Sequence, residues 1–428
     1  MIKIYTITIL LLAISLSFSP KSISQLHNSK IPKFDITPAA YRTNVYLPLL
    51  KGKRVGIFAN HTATVGNKHL VDTLLSLGVN ITKAFGPEHG FRGTADAGEK
   101  IENYTDAATG IPVISLYGKK RKPSAEDLAD IDILLFDIQD VGTRFYTFIS
   151  SLQECMEAAF ENSKPMMILD RPNPNGFYVD GPVLDTAYKS FVGMQPVPIV
   201  YGMTMAEYAF MIAGERWLSE KANEKYAYYI RAENSKDTAF HFQVIKCTGY
   251  THKSKYILPI KPSPNIPDMA SVYWYGSTCL FEGTALNEGR GTDHPFVIFG
   301  HPSLPGNLYA FTPTSRDGAK EPKLKNQLCY GWNLYGTNED VLQKVDNSVQ
   351  IKYLLEAYRL FPDKANFFRK PTNENPVSSA FNRLAGSNEL MQQLINGKTE
   401  AQIRQSWQPK LETFKLIRKK YLLYEDFE

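Results

Sequence analysis

Between residues 51 and 174 the chain alternates short apolar runs with segments of helical period. The runs at 54–60, 79–85, 112–117, 131–137 and 166–170 are almost continuously apolar, the pattern of strands buried on both faces. Between them, 69–77 is amphipathic and stops at Gly78, Ser124 and Asp127 have capping-box spacing, and 145–160 reads as a long helix. Such alternation predicts a mainly parallel sheet covered on both faces. Right-handed crossovers then bring the C-terminal ends of all its strands to one edge.

The pattern changes after Pro174. Thr204 and Glu207 form a capping box that opens a helix running to about Leu218, and 240–246 and 272–282 read as strands. Between those strands, Leu258 to Pro267 carries too many prolines for a helix or a central strand. Helical patterns return at 338–360, 388–396 and 400–421. The expected organisation is an α/β domain over 25–200 followed by a smaller mixed α+β domain over 201–428.

Residues 1–24 read as a signal peptide, with Lys3 as the positive start, an apolar run at 4–18, and Ser22-Ile23-Ser24 as the cleavage site before Gln25. The run falls short of the about 20 residues that a membrane span needs. No later segment of that length is apolar, and no lipid-accepting cysteine follows it. The mature protein is therefore expected in the periplasm or outside the cell, with no stable membrane span.

Composition narrows the class further. Of 428 residues, 43% are hydrophobic and 21% charged, enough apolar material for substantial cores. The net charge of +5 is spread through the chain. Its one dense cluster, Lys119-Lys120-Arg121-Lys122, reads as a solvated turn, so no nucleic-acid partner is expected. The four cysteines are widely spaced and lack a C-x-x-C, and Cys155 sits in an apolar helical pattern as a core thiol. Neither a disulfide framework nor a structural metal is expected.

Candidate chemistry collects at the strand ends. The first strand ends in Asn60-His61, the second runs into Glu88, His89 and Arg92, the 131–137 strand into Asp137, Asp140, Arg144 and Tyr146, and the 166–170 strand into Asp170, Arg171 and Asn173. Four polar ends on one sheet edge predict a ligand cleft there. The sequence has no G-x-G-x-x-G after the first strand, no P-loop, no G-x-S-x-G and no H-E-x-x-H, which removes the commonest oxidoreductase, kinase, esterase and zinc-protease readings; no cofactor is expected. A glycine-rich loop in the second half adds Glu282, Asn287, Glu288, Arg290, Asp293 and His294. Paired carboxyls suit glycoside cleavage, aromatic residues suit sugar faces, and the arginines favour an acidic sugar.

Four segments resemble the bacterial exo-β-N-acetylmuramidase family, long classed as a domain of unknown function. They are Phe85-Gly-Pro-Glu-His-Gly-Phe-Arg-Gly93, Asp137-Ile-Gln-Asp-Val-Gly-Thr-Arg-Phe-Tyr146, Asp170-Arg-Pro-Asn-Pro174 and Glu282-Gly-Thr-Ala-Leu-Asn-Glu-Gly-Arg-Gly-Thr292. The resemblance runs from about Tyr41 to the C-terminus. It implies a Rossmann-like domain joined to a smaller one, with the site in the cleft between them. It also implies release of N-acetylmuramic acid from the non-reducing end of peptidoglycan-derived saccharides, whose lactyl carboxylate agrees with the arginines.

On this reading Glu88 is the expected catalytic acid or acid/base, and His89 tunes it, binds a hydroxyl or is structural. Glu288 is the expected second carboxylate, with Asp137, Asp140 and Asp293 as rivals. Water activation, nucleophilic attack and assistance by the substrate's acetamido group all stay open. Arg92, Arg144 and Arg290 are expected to hold the lactyl carboxylate. Asn60, His61, Asp137, Asp140, Tyr146, Asp170, Arg171, Asn173, Glu282, Asn287 and Asp293 complete the expected substrate-binding set. The rival readings are a non-catalytic muropeptide or acidic-sugar binding protein and a metal-dependent amidase or deacetylase using Asp293-His294.

Overall fold

The apolar runs form the centre of a seven-stranded sheet with the order β5-β6-β4-β1-β7-β8-β9. Its strands are β1 (Arg54–Ala59), β4 (Asn80–Gly86), β5 (Tyr104–Thr105), β6 (Pro112–Ser115), β7 (Ile133–Asp137), β8 (Met166–Leu169) and β9 (Phe242–Ile245). The hairpin of β2 (Thr64–Val65) and β3 (Lys68–His69) lies outside it. All but the edge strand β5 run parallel. The computed structural model describes residues 36–88, 90–93, 102–232 and 242–428, which belong to one compact unit. The expected signal peptide and His89 lie outside the described residues.

Alternate residues of each strand enter different cores. Ile133 and Leu135 of β7 face a core shared with α1 (Thr43–Leu50) and α2 (Leu70–Ser76). Leu134 and Phe136 face the opposite side, where Phe136 pairs in register with Phe58 and stacks on it at 5.0 Å. The helices α3 (Ala125–Leu128), α4 (Phe148–Glu161), α5 (Met205–Gly214) and α6 (Glu220–Ala232) complete this part of the fold. The capping boxes at Ser124/Asp127 and Thr204/Glu207 form as expected. Since β9 is in the sheet, the α/β layer extends beyond residue 200.

The C-terminal part begins with α7 (Met269–Thr278) and holds the antiparallel sheet β10-β12-β11, made by β10 (Ile298–His301), β11 (Tyr309–Phe311) and β12 (Cys329–Asn333). Around it lie α8 (Asn338–Val345), α9 (Lys352–Leu360), α10 (Ala380–Ala385), α11 (Glu389–Ile395) and α12 (Glu400–Lys419). The expected strand at 272–282 is instead α7 followed by a 3-10 turn, Cys279–Gly283. Val272, Tyr273, Trp274 and Tyr275 favour strands on propensity alone. All ten residues of α7 are buried, so no polar face reveals the helical period, and only the Asp268 cap on Ser271 N–H marks its start. The four cysteines are buried and unpaired. Among the described residues no helix is long and apolar enough to cross a membrane.

One core runs from Phe58 and Phe136 of the large sheet through α4, α5 and α7 to Phe414 of α12. Arg144 ties the two parts at its margin. It was expected to bind a substrate carboxylate, but the side chain is fully buried. Nη1 donates to Pro182 O and Val197 O, both at 2.8 Å, and Nη2 donates to Leu384 O at 2.7 Å. Leu384 is in the last turn of α10, so the guanidinium meets the negative end of that helix. Gly386 follows at φ 90°, and a Cβ there would come within 2.8 Å of Arg144 Nη2. Burial lowers the Arg144 pKa to about 9.

A buried carbonyl left unpaired costs about 1–3 kcal/mol. Arg144→Met leaves Pro182 O and Leu384 O unpaired, while Val197 O keeps the Leu184 N–H, so it is expected to lower the unfolding free energy by about 2 kcal/mol or more, with Arg144→Lys losing less. Denaturant unfolding measures this, and a loss below about 1 kcal/mol would show that the clamp is dispensable.

Candidate active site

The order of the sheet reverses direction between β1 and β7, and in open α/β sheets ligands bind beside the strand ends at such a reversal. The polar strand ends do converge on that edge, but most are spent on one another. Arg171 grips Asp137 with Nε–Oδ1 at 2.5 Å and Nη2–Oδ2 at 2.8 Å, both side chains nearly inaccessible. Asp170 accepts Tyr424 OH at 2.6 Å and the Ala206 N–H, in the first turn of α5, at 3.1 Å. Asn173 bridges Met203 O and Asn175 N–H, and Asn60 accepts the Thr62 N–H and hydroxyl. Arg92 is held on both sides, by Asp72 and Asp106, at 2.7–3.1 Å. The expectation that Arg92, Arg144 and Arg171 offer their forks to a substrate is thus corrected. Arg144 and Arg171 are buried and Arg92 is about a quarter exposed, and all three guanidinium groups have their partners inside the fold.

Glu88 is different. It leaves β4 through Pro87, is half-buried, and faces a cavity of about 640 Å³, open mouth included. Its Oε1 accepts Tyr117 OH at 2.8 Å and, among the described residues, its Oε2 makes only a long contact, 3.4 Å, with Thr147 Oγ1. Burial and the neighbouring Glu88 push the Tyr117 pKa up, so the phenol stays a donor at neutral pH. The loop after Glu88 packs on the end of β1. Gly93, at φ 74°, lies so close to His61 that a Cβ would come within 2.5 Å of its ring. His61 itself has Nε2 at 3.0 Å from Lys261 O.

The C-terminal part supplies the rest of the lining. Tyr275, Glu282, Arg290 and Phe296 line the same cavity as Glu88, and Phe145, Tyr146 and Phe148 complete its aromatic side. Tyr146 donates to Pro262 O at 2.8 Å and meets Tyr275 edge-on at 6.0 Å. The cavity carboxylate on this side is Glu282, 30% exposed, and not Glu288, 3% exposed. Glu288 is gripped by Lys323 Nζ at 2.8 Å and Arg290 Nε at 3.2 Å. Burial pushes its pKa up, but Lys323 and Arg290 outweigh this and hold it below the ordinary range. Arg290 Nη2 also donates to Glu282 Oε1 at 2.7 Å, so one guanidinium joins the buried carboxylate to the exposed one. Asn287 shapes the same loop by accepting Gly289 N–H and donating to Arg290 O and Lys323 O. Asp293 faces outward, paired with Arg316.

The structure thus brings Glu88, Tyr146, Glu282 and Arg290 together in one cavity. Sequence reasoning missed Tyr117 and Lys323. Tyr117 closes the run that becomes β6, and the logic that collected the other strand ends applies to it. Lys323 lies in irregular chain with no periodic or motif signal. Among the described residues no group of three or more His, Cys, Asp or Glu is placed to hold a metal ion.

Asp140 is buried behind the cavity, with Oδ2 accepting Tyr201 OH and Gly142 N–H and Oδ1 unpartnered among the described residues. Burial raises its pKa to about 7. A carboxyl raised on folding stabilises the native state fully below its unfolded value of about 4, and that contribution is lost as pH climbs through the folded value. Wild-type stability is therefore expected to fall between about pH 4 and pH 7, by on the order of 1 kcal/mol per pH unit from Asp140. Asp140→Asn should reduce this slope in unfolding curves taken across that range, while Asp170, raised by burial in the same way, keeps its own share. Equal slopes in both proteins would refute it.

Comparison with known proteins agrees with this architecture. Residues 55–270 match the family model described as exo-β-N-acetylmuramidase NamZ, N-terminal, and residues 273–424 match its C-terminal counterpart. The chain is 37% identical over 400 residues, 89% of each sequence, to the peptidoglycan β-N-acetylmuramidase NamZ of Bacillus subtilis strain 168. A solved DUF1343 family protein from Bacteroides fragilis NCTC 9343 is 43% identical with a TM-score of 0.79, and covers 92% of this chain and 100% of its own. A second from the same organism, at the same coverage, is 30% identical with a TM-score of 0.73. With both halves of the family model matched across a single fold, the chain belongs to the exo-β-N-acetylmuramidase NamZ family.

Proposed function

We propose that the protein is a glycoside hydrolase that releases N-acetylmuramic acid from the non-reducing end of peptidoglycan-derived saccharides, with Glu88 as the proton donor. The observation that carries the reading is that Glu88 and Glu282, from opposite parts of the chain, face one aromatic-sided cavity together with Arg290. Export by the N-terminal segment and a role in cell-wall recycling belong to the same proposal, since peptidoglycan lies outside the cytoplasmic membrane.

In this mechanism the Glu88 carboxyl gives its proton to the glycosidic oxygen as the bond from that oxygen to the anomeric carbon breaks, and positive charge develops on the sugar ring. Tyr117 holds Oε1 and leaves Oε2 for the substrate. Glu282, oriented by Arg290, supplies the second carboxyl, a water oxygen ends bonded to the anomeric carbon, and that water's proton restores the carboxyl pair. The remaining amino group of Arg290, Nη1, has no acceptor among the described residues and is assigned the lactyl carboxylate. Glu288 and Lys323 act as positioning residues that fix Arg290 from behind.

Glu88→Gln keeps the shape and removes the proton. Its kcat on a disaccharide of N-acetylmuramic acid and N-acetylglucosamine is expected to fall by about 10²–10⁴-fold. A p-nitrophenyl glycoside, whose leaving group needs little protonation, should lose much less. Near-normal turnover of the disaccharide would refute the assignment. A non-catalytic binding role would instead show as binding without free sugar in the wild type.

Arg290→Gln removes a charged hydrogen bond worth about 1.5–3 kcal/mol, so kcat/KM for muramic acid glycosides is expected to fall by roughly 10- to 100-fold. The corresponding N-acetylglucosamine glycosides should fall several-fold less, since they lose only the orientation of Glu282. Arg290→Lys retains the charge and reports whether the loop still folds. Equal loss on both sugars would remove Arg290 from lactyl recognition.

A further inference from the structure

A second cavity, about 830 Å³ with its mouth, adjoins the first at Asn265, which lines both. The wall between them is made by two loops. In residues 263–267, Ser263 and Ile266 face the first cavity while Pro264 and Pro267 face the second. In residues 290–296, Arg290 and Phe296 face the first while Thr292, Asp293 and Pro295 face the second. Val192 and Phe148 line only the first. A saccharide whose terminal residue fills the first cavity therefore has the second available for its continuation past Asn265.

This second space is a built surface. Asn265 donates Nδ2 to Gly318 O at 2.7 Å, and its N–H bonds Ser263 Oγ at 3.3 Å. The turn Arg316–Ala319 closes on itself and packs so tightly on the proline loop that a Cβ at Gly318 would meet Pro264 at 2.5 Å. Three proline faces beside an amide, a hydroxyl and a paired Asp293–Arg316 offer apolar contact for the C–H face of a pyranose and polar partners for its rim. Asp293 and Asp317 are balanced by Arg316 alone within the lining, so the charge is net negative there. That sign opposes a carboxylate-rich stem peptide and favours a neutral sugar.

Resting on the muramidase reading, we propose that this cavity is the leaving-group subsite, which takes the neutral N-acetylhexosamine bonded to the terminal muramic acid.

The test compares full-length wild type with Asp317→Trp, an exposed position whose ring fills the cavity, and Arg316→Ala, which removes a polar partner. Substrates are the p-nitrophenyl glycoside of N-acetylmuramic acid, the peptide-free disaccharide with N-acetylglucosamine, and the same disaccharide carrying a stem peptide. Asp317→Trp is expected to raise KM for the peptide-free disaccharide by about tenfold, with Arg316→Ala raising it less and the aryl glycoside staying within about twofold. Retained aryl-glycoside turnover shows that the variants are folded. Unchanged KM for the disaccharide, or an equal rise for the aryl glycoside, overturns the subsite. So does a rise confined to the peptide-bearing substrate, which assigns the cavity to the stem peptide. A wild type that cleaves none of the three overturns the muramidase reading together with the subsite, and is distinguished by failing before any variant is compared.

Discussion

A parallel sheet ends all its strands on one edge, and here that edge concentrates more charge than the fold leaves unpaired. Carboxylates and guanidinium groups taken out of water cost several kcal/mol each unless they find good partners. The strand ends meet that cost among themselves, as Arg171 with Asp137, Arg92 with Asp72 and Asp106, and Asp170 with Tyr424 and the first turn of α5. What remains for an incoming ligand is Glu88, held by a phenol rather than by a countercharge.

The C-terminal part of the lining follows the same physics with a different result. Glu288 is buried with Lys323 and Arg290, and it fixes a guanidinium whose other face reaches Glu282 in the cavity. The ion pair that stabilises the loop therefore also sets the geometry of the site. The continuous core from Phe58 to Phe414 makes the two parts of the lining one packed body, and preorganisation of this kind is what chemistry between two carboxyls requires.

The loops between the two cavities work as a partition. The proline-rich stretch near Asn265 has a small choice of backbone conformations, so its alternate side chains are committed to one cavity or the other at little further entropic cost. The same rigidity explains why this stretch is neither helix nor strand, although it lies at the centre of the functional surface.

Periodicity and capping in the sequence alone determined the parallel sheet, its helices and the edge where chemistry gathers, because 2.0- and 3.6-residue repeats and local caps are written in neighbouring residues. The resemblance segments pointed to the family for the same reason. Tertiary structure alone decided that Tyr273 and Trp274 are helical, since burial on every side erases the repeat that identifies a helix. It also decided which charged residues are structural. Arg144 and Arg290 look alike in sequence, yet one meets three backbone carbonyls in the core and the other a carboxylate in the cavity. Glu282 and Glu288 share a loop, and the reach of Lys323 from a distant segment is what buries one and leaves the other in the cavity with Glu88. Pairing across long sequence separations carries no local signature, so only the folded chain reveals which carboxylate is free to act.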